Sequence, residues 1–541
     1  MFSGMLAPAM DLLNALFRSP PWEAVRLGLH LAFGLALLFW LWQAFQLRHA
    51  VPLRHLAKPR AWLLPAIVLI SLALTAILAY QATWQLGGRA RPQFIAFMQS
   101  HDRRQFNPAH WIQRGRILDQ RGRVLAETRN RDGAAERVYP YGAIFAHTVG
   151  YADARFGLNG VEAMANRALN GSTLDSLDDW SELGRQVLTQ SKRPRGQDLV
   201  TTLDAELQRF AVEQIAAAKP VGRGAVVMLR PADGAVLVMA SVPGFDPNQL
   251  QPTLFSGGDP TTPLLNRATQ GLYPPGSTFK VILAAQALEN GFRGRLDCPA
   301  EGYTTSSRYR PIRDHEYYEA RRAGRSWAGL GLLDLSTALA KSSNVFFAQL
   351  GVLGGHAALA KTGERLRFNQ AIAFVGGPSG TLHLQSARLK PIPESDRYGL
   401  AQASIGQGRV TATPAYMAMV AAAIANEGVA MRPRLLRDTQ PERLARFMSA
   451  DTARRLQVML RRTVTAGTGK GIETAGLEIA GKTGTAENPQ GASHSWFIGF
   501  APTSAPRLAF AVLVEHGGYG STVAAPIARD LLLKAAEQGL L

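Results

Sequence analysis

Cysteine is almost missing from this chain: Cys298 is the only one in 541 residues. A lone thiol excludes an intramolecular disulfide framework and any metal cage built from cysteine alone. Internal repeats and low-complexity tracts are missing as well, and the composition, 47% hydrophobic, is that of an ordinary folded protein. No stretch matches a zinc finger, an RNA-recognition motif or a basic zipper. Arginine is spread along the chain instead of gathering in one recognition element. The formal net charge of +19 therefore does not argue for nucleic acid; an anionic bilayer or an acidic polymer attracts the same charge.

The length leaves room for two or three domains with a large core. Two apolar runs, LGLHLAFGLALLFWLWQAF (27–45) and AWLLPAIVLISLALTAILAY (61–80), each match the roughly 20 residues needed to cross hydrocarbon. A cleaved signal peptide has one shorter run after a basic start, so two transmembrane helices are expected. The connector between them holds Arg48, Arg54, Lys58 and Arg60. The positive-inside rule then places the connector in the cytoplasm and everything after Tyr80 outside. The expected division is an N-terminal segment (1–24), a two-span membrane unit (25–83), a small α/β pedestal (84–197) and a main domain (198–541).

RGRILDQRGRVLAET (114–128) alternates around a Gln-Arg-Gly turn and reads as a hairpin. VEAMANRALNG (161–171) has helical spacing with a glycine stop. GAVVMLRPADGAVLVMASV (224–242) is two apolar strands around Ala-Asp-Gly. Strands return at SWFIGFAP (495–502) and RLAFAVLVEH (507–516), after a middle rich in Ala-containing helices. Strands at both ends with helices between predict an α+β fold: one antiparallel sheet assembled from distant segments, with a helical insertion.

Three short stretches carry chemistry. In PPGSTFKVILAAQALENG, Ser277 and Lys280 stand three apart at a helix start, so they share a face. A serine hydroxyl needs a base, and a partly desolvated lysine supplies one. In STALAKSSNVFFAQLG, Ser342-Ser343-Asn344 separates two helical runs. Ser342 is placed to relay a proton and Asn344 to hold an amide, while the bland reading is a helix cap. In GLEIAGKTGT (476–485), the first eight residues fit a phosphate loop and the last four fit a Lys-Thr-Gly strand. A phosphate loop requires a helix at Lys-Thr, yet TGTAENPQG follows, full of turn formers, so the nucleotide reading is rejected. Lys482 with the Thr483 and Thr485 hydroxyls then suits a carboxylate, and Gly484 lets a substrate backbone approach a sheet edge. A second Lys-Thr-Gly, Lys361-Thr362-Gly363, lies in an amphipathic helical stretch and is set aside. HEYYE (315–319) is one residue short of a zinc-protease motif. Cys298, Asp314 and His315 show no metal spacing, and neither metal nor cofactor is assigned. His494 and Trp496 are read as strand packing and cleft wall.

In that order and at those spacings, the three motifs resemble the active-site motifs of penicillin-binding proteins and serine β-lactamases. The likeness covers the chain from about Arg114 to the C-terminus, through YPYGAIFAHTVGY, GLNGVE, LVTTLDAELQ, ASIGQG and SHSWFIGFAP among others. As a set it resembles class B, monofunctional penicillin-binding proteins. The resemblance implies a serine β-lactamase/transpeptidase-like domain acting as a peptidoglycan D,D-transpeptidase. It makes Ser277 the nucleophile, Lys280 the proton acceptor, Ser342 the shuttle, and Asn344 the amide holder that orients Lys280. Lys482, Thr483 and Thr485 bind the terminal carboxylate, and the Ser277 and Thr485 N–H groups form an oxyanion hole. Stem peptides ending in D-Ala-D-Ala, β-lactam antibiotics, the membrane and a membrane glycosyltransferase are the implied partners. Members usually carry one anchor, whereas two apolar spans appear here. The rival readings are a β-lactamase, for which no water-activating glutamate is found, and a non-catalytic sensor or scaffold of wall synthesis.

Overall fold

The computed structural model describes Phe39, Trp42 and residues 68–78, 113–131, 134–171, 195–376, 382–488 and 491–541. Of the two expected spans, only Phe39, Trp42 and 68–78 are described; the rest of both lies outside the described residues. Residues 68–78 are helical, and Leu69, Ile70, Leu74, Ile77 and Leu78 all present more than half their surface. No helix among the described residues is long and apolar enough to cross a membrane. The chain divides into two compact units, 1–102 and 103–541, and all that follows concerns the second.

Its first part is a four-stranded sheet. β1 (Ile117–Leu118) pairs antiparallel with β2 (Val124–Arg131), β2 pairs with β3 (Ala134–Val138), and β4 (Leu199–Val200) lies parallel to β1. The β1–β2 turn forms because the Asp119 carboxylate accepts from the Arg121 and Arg123 amides, both at 2.8 Å, and Gly122 takes φ +84°. The helix expected over 161–171 is two short helices, Gly160–Met164 and Asn166–Asn170, broken at Ala165 and ended by Gly171 in the left-handed region. Beside them Glu162, wholly buried, receives Arg114 Nε at 2.6 Å and Arg137 Nε at 2.7 Å.

The larger part is built on a five-stranded antiparallel sheet. Its members are β5 (Gly224–Leu229), β6 (Val236–Val242), β7 (Ala480–Asn488), β8 (Gly491–Ala501) and β9 (Leu508–Val514), in the order β7-β8-β9-β5-β6. First and last segments of the domain thus meet at β9–β5, as the strand pattern predicted. Both faces are covered, which is why LAFAVLV in β9 is apolar throughout. Ala509, Ala511 and Leu513 enter one core, and Leu508, Phe510, Val512 and Val514 enter the other. The second core is closed by α1 (Ala205–Ala217) and, at the far end of the chain, a helix over Ala524–Glu537.

The first core holds the inserted helices: α2 (Lys280–Glu289), α3 (Leu335–Lys341), α4 (Asn344–Arg365), α5 (Pro414–Ala425) and α6 (Ala450–Ala466). All twelve residues of α5 are buried under the sheet, so that helix is apolar on every side. The N-terminal end of α2, the C-terminal end of α3 and the N-terminal end of α4 meet beside β7, the sheet edge.

Candidate active site

The turn carrying Ser277 is fixed to the sheet by contacts that only small residues permit. Gly276–Phe279 forms a 3-10 turn running directly into α2, so Ser277 and Lys280 lie one above the other. Gly276 has φ +52°, and a Cβ there would stand 2.6 Å from the Thr485 carbonyl oxygen. Its amide donates to the Gly406 carbonyl at 3.0 Å, in the ASIGQG segment. Trp496 Nε1 donates to the Pro274 carbonyl at 3.0 Å, tying the turn to β8. Ser277 is half-buried, and its hydroxyl has no hydrogen-bond partner among the described residues; Lys280 behind it is wholly buried.

Lys280 is held by the second motif. Its Nζ donates to the Ser342 carbonyl at 2.6 Å and to Asn344 Oδ1 at 2.7 Å, with Ser342 Oγ at 3.5 Å. The three motif residues divide the work of the α3–α4 turn. Ser342 ends α3 in the left-handed region (φ +60°, ψ +35°), a conformation that a β-carbon disfavours and that the surrounding packing enforces. Ser343 is the cap of α4 and accepts from the Phe346 amide at 3.1 Å. Asn344 opens α4 with its amide toward Lys280. The cap reading and the cleft reading are thus both realised, by different residues of one tripeptide.

The third motif closes the cluster. Lys482 Nζ donates to Ser342 Oγ at 2.8 Å and to the Thr483 carbonyl at 3.0 Å. Neither lysine forms an ion pair among the described residues. Burial pulls the Lys280 amine down to about 7, against an upward pull from Asp314 and Glu316. Lys482 is lowered well below the ordinary lysine range by burial and by the Lys280 charge. The Thr483 hydroxyl shares a 2.7 Å hydrogen bond with that of Thr468, and the Thr485 hydroxyl accepts from the Gly520 amide at 3.4 Å.

Two details differ from the sequence reading. LEIAG (477–481) alternates like a strand, yet Leu477, Glu478 and Ile479 precede it: the strand begins at Ala480 and carries Lys-Thr-Gly-Thr within it as far as Asn488. The turn formers after Thr485, expected as a polar loop, instead continue the strand, with Ala486 opposite His494 and Asn488 opposite Gly491. Gly484 also has a packing role. A Cβ there would meet Thr278 Cγ2 at 2.8 Å and Trp496 Cβ at 3.0 Å, so the Ser277 turn and β8 pack closely against it.

The decoys resolve on packing. Lys361 is exposed within α4, and Thr362 bonds back to the Ala358 carbonyl at 2.8 Å. His494 is buried against Tyr273, and burial lowers it to about 4, so it is neutral at neutral pH. No group of three metal-ligating side chains gathers among the described residues. His315 pairs with Glu319 at 3.1 Å, while Asp314 binds Ser343. Thr468 and Asp314 were not foreseen as site residues. The Gly-rich TAGTGKG stretch was a readable signal for the first; nothing local marked the second.

A sequence profile described as the penicillin binding protein transpeptidase domain matches residues 224–533. The chain belongs to that family. A second profile, the penicillin binding protein A dimerisation domain, matches 114–197. Peptidoglycan D,D-transpeptidase PbpA of Mycolicibacterium smegmatis is 34% identical over 462 residues, 79% of this chain and 90% of that protein. MrdA of Acinetobacter baumannii, also named a peptidoglycan D,D-transpeptidase, is 30% identical over 453 residues, 72% of this chain and 64% of that one. Among solved structures, penicillin-binding protein A of M. tuberculosis as a ceftriaxone acyl-enzyme superposes with TM-score 0.69 and 30% identity. It covers 80% of this chain and all of its own. PBP2 of Pseudomonas aeruginosa gives TM-score 0.62 at 29% identity, over 79% and 96%.

Proposed function

We propose that this penicillin-binding protein is a peptidoglycan D,D-transpeptidase that cross-links stem peptides through an acyl-enzyme on Ser277. The observation that carries the reading is the convergence of Lys280, Ser342, Asn344 and Lys482 within hydrogen-bonding distance, one helical turn from Ser277, whose hydroxyl has no partner among the described residues. A neutral amine has two N–H bonds, and the Ser342 carbonyl and Asn344 Oδ1 take both. One lone pair is left to accept the Ser277 proton. Ser277 Oγ then bonds to the penultimate D-Ala carbonyl carbon as the peptide C–N bond breaks. The Ser342 hydroxyl, which accepts from Lys482, gives its proton to the departing D-Ala amine and regains one from Lys280, 3.5 Å away.

β7 is an edge strand, and its unpaired row of backbone groups suits an extended peptide laid alongside. Lys482, Thr483 and Thr485 hold the substrate carboxylate, and the Ser277 and Thr485 amides receive the oxyanion. Gly484 acts indirectly, by admitting the nucleophile turn. An amine of a neighbouring stem peptide resolves the ester. β-Lactams enter the same path and remain as the acyl-enzyme, as in the solved relative. The two apolar spans anchor the chain with its catalytic domain outside the cytoplasm, and a membrane glycosyltransferase supplies the glycan strands.

Fluorescent penicillin labelling of the full chain in membranes tests this. Wild type is expected to label stably and Ser277→Ala not at all. Equal labelling of the two removes the proposal, and rapid loss of label from the wild type favours a β-lactamase.

A further inference from the structure

Behind the second motif lies a buried carboxylate that the reaction scheme leaves unused. Asp314 is 3% exposed and forms no ion pair among the described residues. It receives the Ser343 hydroxyl at 2.9 and 3.1 Å on its two oxygens, and the Val345 amide at 3.1 Å. The preceding residue works beside it: the Arg313 carbonyl accepts from Asn344 Nδ2 at 3.0 Å. Two consecutive residues thus hold two consecutive residues of the catalytic turn. The Arg313 bond also decides which way the Asn344 amide faces. With Nδ2 committed to that carbonyl, Oδ1 is the atom left for Lys280.

We propose that Asp314 is a positioning residue for acylation, holding the Ser342–Ser343–Asn344 turn against Lys280 and setting the charge balance around that amine. The inference rests on the transpeptidase reading given above. A cap alone does not explain the arrangement, because Ser343 caps α4 without help. Burying a carboxylate without a cation is costly, and the N-terminus of α4 offsets only part of that cost. What the carboxylate adds is negative charge near a buried lysine. The charged groups acting on Lys280 are Asp314 and Glu316, with Lys482 the cation on the strand side. The ring face of Phe347 lies 5.8 Å from Nζ. Asp314 favours the protonated amine, so removing its charge moves deprotonation of Lys280 to lower pH.

The test is the rate of acylation by fluorescent penicillin across pH, per folded molecule of full-length protein in detergent. It compares wild type, Asp314→Asn, Ser343→Ala and the Ser277→Ala control. Asp314→Asn keeps the shape and removes the charge. It is expected to lower the plateau rate roughly tenfold to a hundredfold, the effect of a slightly misplaced catalytic group, and to move the acid limb to lower pH. Ser343→Ala keeps the charge and loosens the turn, so it is expected to slow acylation with the limb in place. An acid limb unmoved in Asp314→Asn overturns the inference, whether or not the rate falls, since a merely structural carboxylate acts that way. That result leaves the transpeptidase reading intact, which fails only if Ser277→Ala labels like wild type.

Discussion

In the pedestal, Glu162 is buried between Arg114 and Arg137, with Asn166 and Asn170 taking further guanidinium protons. In the cleft, Lys280 and Lys482 are buried among a hydroxyl, an amide oxygen and two carbonyls, with no ion-paired carboxylate among the described residues. The pedestal pairs its charges and holds the Glu162 carboxyl below the usual range: burial pushes it up, and the two arginines more than reverse that. The cleft leaves its cations unpaired, and burial pushes both toward neutrality. Equal burial with opposite pairing gives a structural clamp in one place and, in the function proposed above, a base in the other.

The strongest way to break the comparison is Lys280→Met. Loss of the general base is expected to slow acylation by roughly a thousandfold while leaving the melting temperature unchanged or raised. A variant that melts far lower would make Lys280 a structural residue. Next in size, Glu162→Gln leaves two buried guanidiniums with only neutral partners in contact and is expected to cost about 3 to 5 kcal/mol in denaturant unfolding. Labelling per folded molecule should stay at the wild-type rate.

The pH dependence of stability sharpens the contrast, because the two sites carry opposite signs. The folded Glu162 carboxyl is depressed, so its contribution is present above the unfolded carboxylate range. It disappears as pH falls through the folded value. Lys280 is depressed to about 7. Below that both states carry the proton and the burial penalty is full. Between there and the unfolded lysine range, roughly 10.4, the unfolded state binds more protons and stability rises with pH. Lys280→Met should therefore flatten the alkaline side of the curve, and Glu162→Gln the acidic side. The smallest expected effect is Trp496→Phe, which frees the Pro274 carbonyl. It should cost about 1 kcal/mol or somewhat more and slow labelling slightly through a loosened Ser277 turn.

Much of this was legible in the sequence, because most strands of the central sheet are short apolar runs bounded by turns, and the three motifs stand at a helix start, between two helices and within a strand. GAVVML and LAFAVLV declare themselves as two-sided strands; their pairing across nearly three hundred residues followed from fold logic. The Lys482 strand was harder. Ala486, Glu487 and Asn488 have poor strand propensity, and pairing with β8 overrides it. Gly484 was seen, but its packing against Thr278 and Trp496 was not, because the fold and no local pattern brings them together. Asp314 was invisible as a site residue because its partners, Ser343 and Val345, are set by the fold and by no local pattern.

The central claim, that an unpaired buried amine serves as the base, is tested most directly by the rate of acylation of the wild-type chain across pH. The account predicts a rate that climbs through a midpoint near 7, the position to which burial brings Lys280. A rate that is flat there, or that climbs only in the ordinary carboxylate range, would contradict it.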